Sequence, residues 1–218
     1  IQFGANEDFE KYPRSLSADL EKLAAEHVDF AFTPTAAEMY PGGFATTIRM
    51  GGPALPLEGK VRPDHFDGVG TVVTKLLLQA LPDLVYLGQK DGQQAAVIKR
   101  LVVDLNIPSR VVVMPTVREH DGLAVSSRNA YLSKEQRIAA GVIYRALSGT
   151  RDRFRSGQQN REHIEATCRA LIAAEPLVDA IEYVAAVDPD TIEPWVGGSP
   201  CMLAAAVRMG ELRLIDNV

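Results

Sequence analysis

Cysteine is scarce in this chain: Cys168 and Cys201 are the only two, far apart and outside any metal-type spacing. Such a pair gives no disulfide framework and reads as buried, reduced thiols of a cytoplasmic protein. Histidine is equally thin. His27, His65, His120 and His163 are scattered, with no His-x-x-His pair and no His/Cys cluster, which argues against a dedicated structural metal site. No apolar run approaches the roughly 18–20 residues needed to span a bilayer, so no membrane partner is expected. The first ten residues, IQFGANEDFE, lack the basic and apolar regions of a secretory leader. Positive charge is also short: 23 Lys and Arg stand against 28 Asp and Glu, leaving a net charge of −5. That balance argues against a general nucleic-acid or membrane-surface binder, and any phosphate site must be built locally.

What the chain does have is apolar periodicity. Its 218 residues are 46% hydrophobic and 23% charged, the profile of a globular protein with one large domain or two small ones. Leu16, Leu20 and Leu23 form one stripe of a helix over 15–28, with Ser15 or Ser17 as its cap. VDFAFTP (28–34) predicts a short strand stopped by Pro34. A Gly- and Pro-rich loop follows to about Asp67, with TTIRM a candidate small strand inside it. The next segments predict a helix over 69–81, a buried strand over 84–88, a helix over 93–106 and a strand over 110–117. Strand, helix, strand, helix and strand in succession imply a mostly parallel sheet.

Beyond Asn129 the pattern changes. A long helix is predicted over 133–157, capped by Ser133, and a second over 161–176. Strands follow over 181–189, 201–209 and 212–218, with Gly210 turning the last pair. The reading is an α/β fold over residues 1–128 and a smaller α+β unit over 129–218.

Ligands of parallel sheets bind outside the carboxyl ends of the strands. GQKDGQQ (88–94) leaves one such end and opens a helix. Gly88 permits close backbone approach, Lys90 offers a compact cation, and Asp91 could cap the helix, hold a ribose hydroxyl or hold a metal. VREHDGLAVSSRN (117–129) leaves the next strand, and its two serines and forked Arg128 suit phosphate oxygens. Taken singly, each stretch is a helix cap with solvated polar residues. Placed together at one sheet edge, they point to a nucleotide phosphate site. Gln2 and Gln94 are neutral amides able to read a carboxylate or hydroxyl. Arg62 and His65 sit between the Gly-rich loop and the following helix, where His65 is either a base or a loop hydrogen-bonder.

In order, QFGANEDFEKYPR, PTAAEMYP, RPDHFDGVGTVVTKLL, YLGQKDGQQAAVIKRLVVDLN, PTVREHDGLAVSSRNAYLS and LRLIDN resemble the pantothenate synthetase (pantoate–β-alanine ligase) family. That resemblance implies a Rossmann-like, nucleotidyltransferase-type parallel sheet, N-terminally incomplete here, followed by a small α+β lid. It implies a two-step ligation: pantoate is adenylated by ATP with release of pyrophosphate, then β-alanine displaces AMP. Carried over by residue, Gly88, Gln89, Lys90, Asp91, Val117, Val125, Ser126, Ser127 and Arg128 contact ATP. Of these, Lys90, Ser126, Ser127 and Arg128 do the catalytic work, while Gln2 and Gln94 hold pantoate and β-alanine. Mg²⁺ accompanies ATP, no protein metal ligand is assigned, and the family habit implies a cytoplasmic homodimer.

Two departures stand out. The family's signature is Met-Ser-Ser-Arg, and Val125 here replaces the Met. Its His-x-Gly-His motif, whose histidines bind ATP phosphates, is absent from these residues. Ile1-Gln2-Phe3-Gly4 also reads like the end of a strand entering a loop. The sequence is therefore expected to be a fragment whose missing part lies ahead of Ile1, weak in ATP binding and ligation by itself. Two other functions fit the same residues: a nucleotidyltransferase of the same fold, or a non-catalytic nucleotide-binding or assembly domain.

Overall fold

The computed structural model describes residues 12, 14–155 and 160–218. Helix α1 (Leu16–Ala25) opens after Ser15, whose side chain makes no cap bond, and none of its residues is buried. The stretch predicted as a strand over 28–34 is not one: it carries no ladder, and Phe30 and Phe32 are exposed. Alternating apolar residues make a strand only where a partner supplies backbone hydrogen bonds, and no described residue does so here. A short helix, α2 (Ala36–Met39), follows, opened by a capping box between Thr35 and Glu38.

TTIRM is likewise extended chain rather than strand, held by side chains of the next long helix. The Ile48 amide donates to Thr71 Oγ1 at 2.9 Å, and the Met50 amide to Asp67 Oδ1 at 2.7 Å. Farther along, the Gln93 side-chain amide donates to the carbonyls of Pro53 (2.9 Å) and Pro56 (2.7 Å). Its oxygen accepts from the Glu58 amide at 3.0 Å. A buried glutamine thus satisfies the backbone of a loop that has no ladder of its own. The loop ends in a single turn of helix, α3 (Glu58–Val61).

Helix α4 (His65–Ala80) starts earlier than its apolar stripe suggests and stops at Leu81, left-handed at φ +44° just before Pro82. Strand β1 (Leu84–Gly88), helix α5 (Gly92–Asp104) and strand β2 (Arg110–Met114) complete a parallel β–α–β unit, in register from Leu84↔Arg110 to Gly88↔Met114. Val69 and Leu77 of α4 and Val97, Ile98 and Leu101 of α5 form the core against Val85, Leu87 and Val111. Fully burying a side chain such as Ile98 or Leu101 stabilises by about 2–3 kcal/mol. β1 is not buried on both faces as its composition predicts, since Leu84 and Tyr86 on the opposite face are exposed.

The predicted long helix over 133–157 is two helices, α6 (Lys134–Ala139) and α7 (Val142–Arg155). Ser133 caps the first through a capping box with Gln136. The break falls at Gly141, where an added Cβ would meet Arg145 Nη1 at 2.8 Å and Asp121 Oδ2 at 3.4 Å. Glycine permits that approach and favours the interruption. Helix α8 (Arg161–Ala173) leads into an antiparallel meander of β3 (Ala180–Val187), β4 (Met202–Met209) and β5 (Leu212–Asn217), with Gly210 at φ +63° in the last turn. Helices α7 and α8 cover this sheet through Ile143, Leu147, Ile164, Cys168 and Ile172, packed on Val184, Val207 and Met209. Among the described residues no helix is long and apolar enough to cross a membrane.

Candidate active site

β1 and β2 run parallel, so the chain leaves both at the same edge of the sheet, after Gly88 and Met114. After β1 comes one 3₁₀ turn, Gln89–Asp91, and then α5. Asn217 at the end of β5 holds this turn, its side-chain nitrogen donating to the carbonyls of Gln89 (2.8 Å) and Lys90 (2.9 Å). Gly92 begins α5 in a tight spot: a Cβ would stand 2.6 Å from Met202 Sδ and 3.1 Å from Asn217 Nδ2, so a larger residue requires those side chains to shift. The Lys90 ammonium lies 3.5 Å from Asp91 Oδ1, whose carboxylate is half exposed. Asp91 occupies the cap position of α5 without making a side-chain cap bond.

After β2 the chain forms a small hairpin, with Arg118 bridged to Ala124 and Gly122 at φ +90° turning it against the Tyr144 ring. The Arg118 guanidinium lies 4.0 Å from the centre of that ring and grips Asp216 with both arms, at 2.6 and 3.0 Å. Val125 then donates to the Val117 carbonyl at 3.0 Å. Ser126 caps the 3₁₀ turn Ser127–Tyr131 by accepting from the Arg128 amide at 3.3 Å. The Asn129 side chain donates to the Ala124 carbonyl at 3.0 Å. The plain reading of this stretch, a turn and a cap, is therefore correct as local structure. It also aims Arg128 into a cleft.

That cleft has a volume of about 360 Å³ and lies between the two loops and the C-terminal sheet. Of the predicted site residues, Lys90, Asp91, Gln94 and Arg128 line it. Gly88 and Gln89 form the approach to Lys90, and Ser126 and Ser127 precede Arg128 at the start of its turn without lining the wall. Val117 and Val125 pair through their backbones, and both side chains are exposed. Gln2 lies outside the described residues.

The wall includes groups that sequence reading undervalued. Arg62 and His65 face the same space, 3.1 Å apart through Arg62 Nη1 and His65 Nε2, and Arg128 stacks over the Tyr12 ring at 5.4 Å. Glu58 is buried beside them. It accepts from the Tyr183 hydroxyl at 2.6 Å and from both arms of Arg213 at 2.7 and 2.8 Å. Burial first, and then the Glu58 charge, push the Tyr183 hydroxyl above its ordinary value, so it remains a neutral donor. Burial alone would pull the Arg213 guanidinium down, but its bonds to Glu58 and Glu182 hold it above the ordinary value. Burial likewise raises Glu182, yet Arg213 and Arg208 outweigh it and leave the carboxyl lowered. Glu58 stands in a Gly/Pro-rich stretch that reads as solvated, and its partners stand up to 155 residues away. The Asp216-Asn217 pair is also buried, at the end of β5.

The cleft thus joins Lys90, Arg62 and Arg128 with one half-exposed carboxylate, Asp91, while Glu58 and Asp216 are engaged by arginines. Cations converging in a partly buried site stabilise charge developing on phosphates, and Gln94 adds a neutral hydrogen-bonding group. Among the described residues no group of three or more His, Cys, Asp or Glu is placed to hold a metal ion.

The sequence family described as Pantoate-beta-alanine ligase matches residues 1–218. A pantothenate synthetase of Roseiflexus sp. (strain RS-1) is 51% identical over 217 residues, covering 99% of this chain and 78% of that protein. The crystal structure of pantothenate synthetase from Thermus thermophilus superposes with a TM-score of 0.94 at 44% identity, over 100% of this chain and 79% of that one. The pantoate-beta-alanine ligase of Francisella tularensis, crystallised with beta-gamma ATP and beta-alanine, gives a TM-score of 0.77 at 33% identity, covering 100% and 74%.

Proposed function

The chain belongs to the pantoate–β-alanine ligase family, and on that premise we propose how its cleft serves the family reaction. The reaction is the ATP-dependent condensation of pantoate with β-alanine. A carboxylate oxygen of pantoate attacks the α-phosphorus of ATP, the bond to the β-phosphate oxygen breaks, and pyrophosphate leaves. The β-alanine amine then attacks the acyl carbon. Its C–N bond forms, the acyl–phosphate bond breaks, AMP leaves, and the amine gives up a proton.

Lys90 and Arg128 hold the phosphates and stabilise the charge that grows as pyrophosphate departs. Ser126 and Ser127 offer hydroxyls next to Arg128, and Ser127 is exposed. Gly88, Gln89 and Asp91 with Val117 and Val125 frame the nucleotide. Gln94 on the cleft wall reads pantoate, and the family resemblance gives Gln2 the same role. A neutral amide suits this position because it orients the carboxylate without neutralising the nucleophile.

Magnesium enters with ATP, and the half-exposed Asp91 carboxylate fits it, since Mg²⁺ takes one or two carboxylates plus phosphates and water. When bound, the ion neutralises the pyrophosphate leaving group. Residues 1–128 form the nucleotide-binding part and 129–218 a smaller lid that excludes water from the adenylate. The working protein is a cytoplasmic homodimer that binds small molecules rather than nucleic acid.

The observation carrying this reading is the convergence of Lys90, Asp91, Gln94 and Arg128 on one cleft at the carboxyl edge of the parallel strands. Product analysis tests it. With pantoate, β-alanine and MgATP, whatever pantothenate forms, slowly for this chain by itself, is matched by AMP and pyrophosphate in equal amounts. Formation of ADP and phosphate would refute adenylation.

A further inference from the structure

We propose that Asp216 and Asn217, at the end of the last strand, form a bracket that sets the separation of the two phosphate-gripping loops and so positions Lys90 against Arg128. This rests on the reading above that Lys90 and Arg128 act on the phosphates.

Asn217 is buried, 4% exposed, and both protons of its side-chain amide are spent on the carbonyls of Gln89 and Lys90. Two acceptors at 2.8 and 2.9 Å fix which end of that amide is nitrogen, because an oxygen there would face two oxygens. The Lys90 backbone is thereby pinned from outside its own loop. On the other side, Asp216, also 4% exposed, takes both arms of Arg118 and the amide of Asn217 at 2.8 Å. Arg118 in turn donates to the carbonyls of Asn217 (3.1 Å) and Gly122 (3.0 Å), clamping the hairpin that leads into Ser126–Arg128.

One dipeptide of β5 therefore holds both loops, and neither loop bonds the other through these groups. The Asn217 side-chain oxygen is buried without a protein partner, although Asn217 lines the cleft. An amide kept in place despite an unsatisfied oxygen forgoes stability, which fits a residue retained for geometry. A fixed cradle matters because a displacement of about 1 Å in a reacting geometry costs about 100-fold in rate.

The test uses pantoate-dependent ATP–pyrophosphate exchange in Asn217→Ala, Lys90→Ala and the double variant, measured below each melting temperature. Asn217→Ala is expected to lose about 100-fold in exchange kcat at saturating ATP while remaining folded. In the Lys90→Ala background the same change is expected to cost little more, since nothing remains to be positioned. Unchanged kcat with a lower melting temperature, or losses that simply multiply, would overturn the bracket and leave Asn217 a structural residue.

If Asn217→Ala does not fold, Arg118→Lys reads the other arm. It keeps a cation near Asp216 but loses the fork, and its loss of exchange should be absorbed by Arg128→Ala. Normal exchange in Arg118→Lys, or a loss that multiplies with that of Arg128→Ala, would likewise overturn the bracket. Full exchange in both Lys90→Ala and Arg128→Ala would remove the functional reading and the bracket with it. Impairment in those two with normal exchange in Asn217→Ala and Arg118→Lys would remove the bracket alone.

Discussion

Replacing Glu58 with alanine should loosen the junction between the loop before α4 and the C-terminal sheet. The wild-type carboxylate accepts three charge-assisted or short bonds, from Tyr183 and from both arms of Arg213, and Arg62 Nη1 stands 3.9 Å away. Its removal leaves a guanidinium that is 19% exposed without its bidentate partner and a buried hydroxyl without an acceptor. Breaking a buried ion pair on one side costs about 3–5 kcal/mol. Glu182 still engages Arg213 Nε at 2.6 Å, which places the expected loss at the lower end, about 3 kcal/mol. With a urea dependence of about 2 kcal/mol per molar, the unfolding midpoint should fall by about 1.5 M. The Arg213→Met cycle isolates the pair: the double variant should lose less than the summed singles by at least about 1 kcal/mol. A midpoint within about 0.3 M of wild type, or strictly additive losses, would show that the pair contributes no net stability.

Gly92→Ala tests the packing beneath the Lys90 turn. Alanine gains helix propensity, but its Cβ meets buried Met202 and Asn217, so a net loss of about 1–2 kcal/mol and a raised KM for ATP are expected. An equally stable variant would contradict that contact. Burial pushes both thiols up to about 11, Cys168 chiefly by desolvation and Cys201 by desolvation and then Glu165. At pH 8 their thiolate fraction is about one in a thousand, so iodoacetamide should label the native protein roughly 100-fold more slowly than the unfolded chain; comparable rates would refute the burial. Tyr183 is held above its ordinary value of 10.0, so its stabilisation is complete below that pH and is lost as pH rises beyond it, when only the unfolded chain ionises. The stability gap between wild type and Tyr183→Phe should therefore be constant in neutral solution and close in alkali, and a gap that widened would reverse the assignment.

Local signals carried much of the fold. LVYLG, which follows Pro82 and ends on Gly88, is the observed β1 to the residue, and the last three strands with their Gly210 turn lie close to their predicted bounds. These elements follow from apolar runs cut by Gly or Pro, which needs no knowledge of distant neighbours. VDFAFTP failed because its pattern specifies a face but not a partner. The helix over 133–157 failed because Gly141 yields to a hairpin brought in from residues 118–124. At the site, Lys90 and Arg128 were legible from loop position. Glu58, Arg118 and Asn217 were not, because each is defined by a bond to a residue about 100 or more positions away. Such pairings exist only after the chain has folded.

The central claim is that this cleft activates pantoate by adenylation, and isotope exchange between pyrophosphate and ATP measures that step without the second substrate. The account predicts exchange that requires pantoate, does not require β-alanine, and collapses in Lys90→Ala and Arg128→Ala. Exchange independent of pantoate, or undiminished in both variants, would contradict it.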